Sequence, residues 1–277
     1  MNKYQLCAFA DEASPNLSEQ IVALRENNIE YLEMRGVNGI NVAKLTAAQA
    51  KDAARELNAG GIKVWSLGSP AGKSPITQDF AVEAEQFKRL LETADITGAK
   101  CIRLFSFYGT EGKAEYRDEV MERLSRFVEL AQGSGVILCH ENEKGIYGDN
   151  DTRCAEIHRA VPALKAVFDP ANFVQCHVDT LGAWELLKPY TYYGHIKDAA
   201  EDGHVVPPGQ GLGHLREYLP DLLKSSTGVL TMEPHLTKFV GLAALEGGDD
   251  RAVGALCFET PRAAFDYAVR CLREILE

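Results

Sequence analysis

Short apolar runs alternate with amphipathic stretches along the whole chain. Gln5 to Ala10, Ile29 to Arg35, Ile62 to Leu67 and Ala99 to Phe105 read as strands, and the second of them, IEYLEMR, alternates. Between them the 3.6-residue period predicts helices. One follows Asn16 or Ser18 with Ile21 and Leu24 inward. A second follows Thr46 with Ala50, Ala53, Ala54 and Leu57 on one face and Gly60-Gly61 at its end. A third spans Phe80 to Thr97 and stops at Gly98, while Gly68 to Pro75 reads as a loop.

The second half keeps the rhythm. Predicted helices over Tyr116 to Gln132, Thr152 to Val161, Leu181 to Leu187 and Leu215 to Ser225 alternate with strands that run out at Glu141, Asp169, His195 and Glu233. A final amphipathic helix spans Pro261 to Leu276. Strand–helix units of roughly thirty residues each imply a parallel sheet. Eight of them predict an α/β fold, a (β/α)8 TIM barrel, as a single domain over residues 1–277. A doubly wound open sheet is the alternative, but Phe9-Ala10-Asp11-Glu12 after the first strand lacks a glycine fingerprint.

Composition narrows the partners. With 45% apolar and 25% charged residues the chain has the make-up of an ordinary globular protein. A net charge of -11, from 40 acidic and 29 basic residues, weighs against a nucleic-acid partner. No apolar run approaches a membrane span, and the N-terminus meets Asp11 and Glu12 without an apolar signal region. Seven cysteines, an odd number without a CxxC, point to buried reduced thiols and a cytoplasmic location rather than a disulfide framework.

The strand ends carry the chemistry. Val136 to Leu138 leads into Cys139-His140-Glu141, Ala166 to Phe168 into Asp169, Tyr192 to Gly194 into His195, and Val229 to Met232 into Glu233. Singly each has a structural explanation: Asp169 before Pro170 starts a turn, His195 is a core histidine, and Glu141 or Glu233 pairs with Arg103 or Lys197. Together they place two Glu, one Asp and one His at the active-site end of four successive strands. That set suits one hard-to-borderline divalent ion, Mn, Mg, Co or Zn. An ion with open positions polarises a carbonyl and an adjacent hydroxyl.

GVILCHE, FDPAN, GHIKD and LTMEPH together resemble the sugar isomerase and epimerase superfamily of xylose isomerase-like TIM barrels. Ketose 3-epimerases, hydroxypyruvate isomerase and inosose dehydratase are the subgroups most similar in pattern. The resemblance implies a metal held by Glu141, Asp169, His195 and Glu233, with Glu141 and Glu233 as the acid/base pair acting on a small carbohydrate through an enediolate. It departs at Asn172, where epimerases commonly carry a histidine, and in ENEKGIYGD after the first glutamate. Asn172 is therefore an expected substrate contact whose preference does not transfer.

Other candidates come with two readings each. Lys197 binds substrate oxygens or forms a surface ion pair with Asp198. Arg103 meets either a barrel-interior partner, such as Glu33, or the substrate. His177 is a substrate contact or a plain loop histidine. Pro208-Gly209-Gln210-Gly211 offers backbone N–H groups to a phosphate or simply makes a tight turn. The insertion from Leu236 to Leu256 is expected to serve as a lid, as a subunit contact in a homo-oligomer, or as an extra helix packed on its own barrel. The competing functions are a metal-dependent dehydratase and a non-catalytic sugar-binding barrel. DNA repair of the endonuclease IV type needs a histidine-rich zinc cluster that seven histidines without a basic stripe do not supply.

Overall fold

A computed structural model of the chain describes residues 4–238 and 258–277. Its strands are β1 (Gln5–Ala8), β2 (Tyr31–Met34), β3 (Gly36–Val37), β4 (Ile40–Asn41), β5 (Lys63–Leu67), β6 (Cys101–Leu104), β7 (Ile137–Glu141), β8 (Lys165–Phe168), β9 (Thr191–Ile196), β10 (Asp198–Ala199), β11 (Val205–Val206) and β12 (Val229–Met232). The helices are α1 (Leu17–Glu26), α2 (Ala47–Ala59), α3 (Phe80–Thr97), α4 (Arg117–Leu130), α5 (Asp151–Ala160), α6 (Pro170–Gln175), α7 (Thr180–Leu187), α8 (Leu215–Ser225) and α9 (Pro261–Leu276). Eight parallel strands close into a barrel in the order β1-β12-β9-β8-β7-β6-β5-β2. The fold is a (β/α)8 TIM barrel.

Local chemistry explains why the helices start and stop where they do. Thr46 and Gln49 form a reciprocal capping box on α2, and Asp79 accepts a hydrogen bond from the Ala81 N–H to open α3. Gly98 ends α3 in the left-handed region at φ 71°, a conformation that costs a glycine little. Thr260 caps α9 with Pro261 in its first turn. The barrel strands of the first half, β1, β2, β5 and β6, are shorter than the apolar runs that announced them, because only the paired residues ladder. Ala10–Glu12, for example, already turns as a 3-10 helix beyond β1.

Two apolar regions hold the barrel together. Strand and helix faces pack into one large core between sheet and helices. Inside the barrel, Cys7, Trp65, Cys101, Cys139, Val167, Tyr193 and Val229 fill the floor. Alternation along each strand then sends Arg103, Glu141 and His195, two residues beyond Cys101, Cys139 and Tyr193, to the same interior one layer higher. The six cysteines among the described residues are free, and no described helix is long and apolar enough to cross a membrane. Most of the Leu236 to Leu256 insertion lies outside the described residues.

His158 gives the fold a pH dependence of known sign. It is buried on α5, stacked on Tyr190 with ring centroids 5.2 Å apart, and its Nδ1 faces the Leu164 carbonyl oxygen at 3.3 Å. Burial pulls its pKa from 6.5 down to about 4, with the Leu164 carbonyl resisting and Lys165 assisting. The folded chain therefore binds this proton less readily than the unfolded one. Stability is full above pH 6.5, is lost as the pH falls toward 4, and is lower by about 2 kcal/mol at pH 5 on this account alone. Urea unfolding at pH 7 and pH 5 measures it. His158→Gln should flatten that drop by a similar amount, and an unchanged drop would rule the histidine out as its source.

Candidate metal centre at the C-terminal ends of the strands

Glu141 ends β7 and His195 lies on β9. Asp169 and Glu233 are the first residues beyond β8 and β12. All four are buried, and one ligand atom from each lies within 4.8 Å of the other three. Asp169 shows how the local sequence fixes a side chain there. With Pro170 as the first residue of α6, Asp169 is the helix cap, and its Oδ1 accepts the Asn172 N–H at 3.0 Å. That leaves Oδ2 turned to the cluster, 3.9 Å from His195 Nδ1 and 3.0 Å from Lys197 Nζ. Asn142 locks the same junction by exchanging two hydrogen bonds with the Asp169 backbone, at 2.8 and 3.0 Å.

His195 Nδ1 faces the acids, 3.1 Å from Glu141 Oε1 and 3.3 Å from Glu233 Oε2. Each glutamate also has its own arginine. Arg103 Nη1 reaches Glu141 Oε2 at 3.1 Å, and Arg35 Nη1 reaches Glu233 Oε1 at 2.9 Å. Both guanidinium groups lie over the Phe9 ring, at 4.3 Å for Arg35 and 5.1 Å for Arg103. Asn172 Nδ2 donates to the Asn142 carbonyl at 2.9 Å and reaches Glu141 Oε1 at 3.3 Å.

These contacts set the charges. Burial opposes ionisation of Glu141, but His195 and Arg103 outweigh it and hold its pKa below the usual range. Burial also opposes ionisation of Glu233, and Lys197 and His235 hold it well below. Asp169 goes the other way: burial, reinforced by Glu141 and Glu233 and only partly offset by Lys197, pushes it up to about 6. Burial disfavours the His195 imidazolium, yet Glu141 and Glu33 raise its pKa well above 6.5. Three close carboxyls are thus drawing on every nearby cation.

A divalent ion fits this donor set. Glu141 Oε2, Asp169 Oδ2 and Glu233 Oε2 are buried without a hydrogen bond, although ion pairs reach each of them. Three buried carboxyls crowded on one imidazole nitrogen, each with an oxygen that lacks a hydrogen bond, are costly unless cations answer them. Three carboxylates and one imidazole suit Mg, Mn, Co or Zn.

The remaining expectations separate cleanly. Arg103 has its interior partner, which is Glu141 rather than Glu33. Lys197 is no surface ion pair with Asp198: it is buried against Asp169 and Glu233, at 3.0 and 3.6 Å. Asp198 faces the opposite way and accepts backbone N–H groups from Ala199, Gly209, Gly211 and Gly213. Two of those amides, Gly209 and Gly211, are ones the PGQG stretch offered to a phosphate, so the carboxylate of the chain itself fills the cradle. A Cβ at Gly211 would sit 2.3 Å from the Ala199 carbonyl oxygen and 2.4 Å from Asp198 Oδ1, hence glycine. His177 is not brought to the quartet. It is exposed beyond α6 at φ 56° and lines a surface depression with Thr180, Glu201 and His214.

Several further buried groups surround the site. Asp11 and Glu12, just beyond β1, bind Arg35 through contacts of 2.9 to 3.0 Å. His235 Nε2 lies 3.3 Å from Glu12 Oε1 and 3.4 Å from Glu233 Oε1. Glu33 on β2 accepts from the Tyr193 hydroxyl at 2.9 Å and meets His195 Nε2 at 3.2 Å. The available signal was the alternation in IEYLEMR, which puts Glu33 and Arg35 on one face of the strand.

The family model for xylose isomerase-like TIM barrels matches residues 21–275. No curated protein matches the chain. Among solved structures, the IolI protein with a bound zinc atom is 17% identical with a TM-score of 0.75, over 98% of each chain. D-psicose 3-epimerase with D-tagatose from Clostridium cellulolyticum H10 is 15% identical with a TM-score of 0.73, over 99% of each. The probable 3-DHS dehydratase AsbF from Bacillus anthracis is 16% identical with a TM-score of 0.72, over 98% of each. At these identities the likeness is one of fold.

Proposed function

We propose, because the chain belongs to the xylose isomerase-like TIM barrel family, that it is a divalent-metal-dependent isomerase or epimerase of a small sugar or polyhydroxy carbonyl compound. The observation that carries this reading is the convergence of Glu141, Asp169, His195 and Glu233 within 4.8 Å, all buried at the strand ends. Those four residues would hold the ion, which when bound supplies Lewis acidity toward a carbonyl oxygen and its neighbouring hydroxyl.

The chain's own groups supply the proton chemistry. One of Glu141 and Glu233 removes the proton on the carbon next to the carbonyl, giving an enediolate, and the other returns a proton. Return to the opposite face of the same carbon is epimerisation, and return to the former carbonyl carbon is isomerisation. Arg103 and Arg35 brace the two carboxylates from behind, so each keeps its orientation as its proton arrives and leaves. Asn172, beside Glu141, offers its buried Oδ1 (which lacks a hydrogen-bond partner) to a substrate hydroxyl.

A second reading, a dehydratase, is favoured by Lys197. Its ammonium is buried at 3.0 Å from Asp169 Oδ2, where it can donate a proton to a departing β-hydroxyl after the same α-proton has been removed. One experiment addresses both. Metal-loaded protein is incubated in deuterated water with ketoses, inososes and their phosphates, and followed by NMR. Deuterium entering an α-carbon with the carbon skeleton unchanged supports the isomerase or epimerase. Loss of water to an unsaturated product that depends on Lys197 supports the dehydratase. No exchange into any of the panel, with the metal bound, would count against both.

A further inference from the structure

We infer that Glu33 is the positioning residue that fixes which nitrogen of His195 faces the ion, an inference that rests on the metal reading above. His195 is fully buried and wedged edge-on between two rings, Phe9 at 5.3 Å and Tyr193 at 5.6 Å between centroids. Its Nδ1 points at Glu141, Glu233 and Asp169. The Nε2 points away from them, into the barrel, and meets Glu33 Oε2 at 3.2 Å.

Glu33 is itself held in place. The Tyr193 hydroxyl donates to its Oε1 at 2.9 Å and lies 3.2 Å from Ser66 Oγ. Among the described residues His195 is its only ion-pair partner. A carboxylate with no solvent exposure, just above an apolar floor of cysteines, Trp65 and Tyr193, is expensive to keep there without a purpose. Its position gives that purpose. An acceptor on Nε2 holds a ring proton there and aims Nδ1 at three carboxylate oxygens. Without the ion a proton on Nδ1 answers those oxygens; a bound cation would take that proton's place, and Nδ1 would complete the ligand set. Outer carboxylates that hold a ligating imidazole in this manner typically change metal affinity by about 10–100-fold when removed.

The test uses the whole chain stripped of metal and titrated with zinc against a chromophoric chelator. Glu33→Leu is expected to bind zinc about 10–100-fold more weakly than the unaltered chain while keeping its far-UV circular dichroism. Glu33→Gln, whose amide oxygen still accepts from Nε2, should lose less. A purely structural glutamate would lower the unfolding midpoint of both variants and leave the zinc affinity of the folded protein within about twofold; that result overturns the inference. A second measurement needs no variant: in zinc-loaded protein labelled with 15N-histidine, His195 should retain a proton on Nε2 and coordinate through Nδ1. Coordination through Nε2 overturns the inference even if Glu33→Leu does not fold. An unaltered chain that binds no divalent ion overturns the quartet reading itself, which separates the two failures.

Discussion

Replacing Arg35 with methionine is expected to destabilise the fold by about 3–5 kcal/mol, the range for breaking a buried ion-pair network from one side. The guanidinium is buried and makes four carboxylate contacts: Nε and Nη2 on Asp11, Nη2 on Glu12, and Nη1 on Glu233. Burial alone would make it easier to deprotonate, and Asp11, Glu12 and Glu233 more than reverse that. Methionine fills much of the volume over Phe9 but leaves three buried carboxyls short of a cation. The transfer energy of the added apolar surface, at most about 1–2 kcal/mol, does not offset them. The sign with pH follows. Burial already raises the Glu12 carboxyl, with His235 and Arg35 opposing it, so loss of Arg35 raises it further. A carboxyl raised in the folded state weakens the fold above its pKa and ceases to do so once protonated. The deficit of Arg35→Met should therefore be greatest at neutral pH and shrink as the pH falls. Urea midpoints at pH 7 and pH 5 with an unchanged m-value measure it, and a deficit under about 1 kcal/mol at pH 7 would mean that the network contributes little.

That network marks the boundary of what the sequence makes legible. Periodicity and stop signals locate the long helices nearly to the residue, because Phe80–Thr97 closes at Gly98 and Pro261–Leu276 opens at a proline. The six-residue α6 and the two-residue strands β3, β4, β10 and β11 are too short for any period to announce. The quartet is legible for a related reason: each member ends an apolar run, and parallel strands in a barrel bring such ends to one rim. Partners far apart in sequence are not. Arg35 and Glu233 stand 198 positions apart, and Glu33 and His195 stand 162 apart. Nothing in a linear pattern pairs a charge on the second strand with one on the last. Lys197 and Asp198 show the converse error. They look like an ion pair because they are adjacent, yet neighbours on an extended chain point to opposite sides, one to the acids and the other to the glycine loop.

Glu141→Gln and Glu233→Gln are each expected to lower α-proton exchange by at least about 10²-fold, the usual scale for losing a general base, with the barrel still folded. The amide keeps the shape and one ligating oxygen but cannot take up a proton. The two variants should not be equal in stability. Glu141 Oε2 faces Arg103 and its Oε1 faces His195 and Asn172, so an amide nitrogen at either place leaves one guanidinium underpaired. Glu233 answers Arg35 through Oε1 and Lys197 through Oε2, with His235 also 3.4 Å from Oε1. Neutralising Glu233 removes a carboxylate that Arg35 and Lys197 share with Asp11, Glu12 and Asp169; because its neighbours hold its pKa further below the usual range than that of Glu141, its unfolding midpoint should fall further than that of Glu141→Gln. Exchange rates in deuterated water and urea midpoints on the same metal-loaded samples separate catalysis from folding. Exchange retained in either variant would leave that glutamate as a ligand without an acid/base role. Equal midpoints would show that the cations around Glu233 find other partners when its charge is gone.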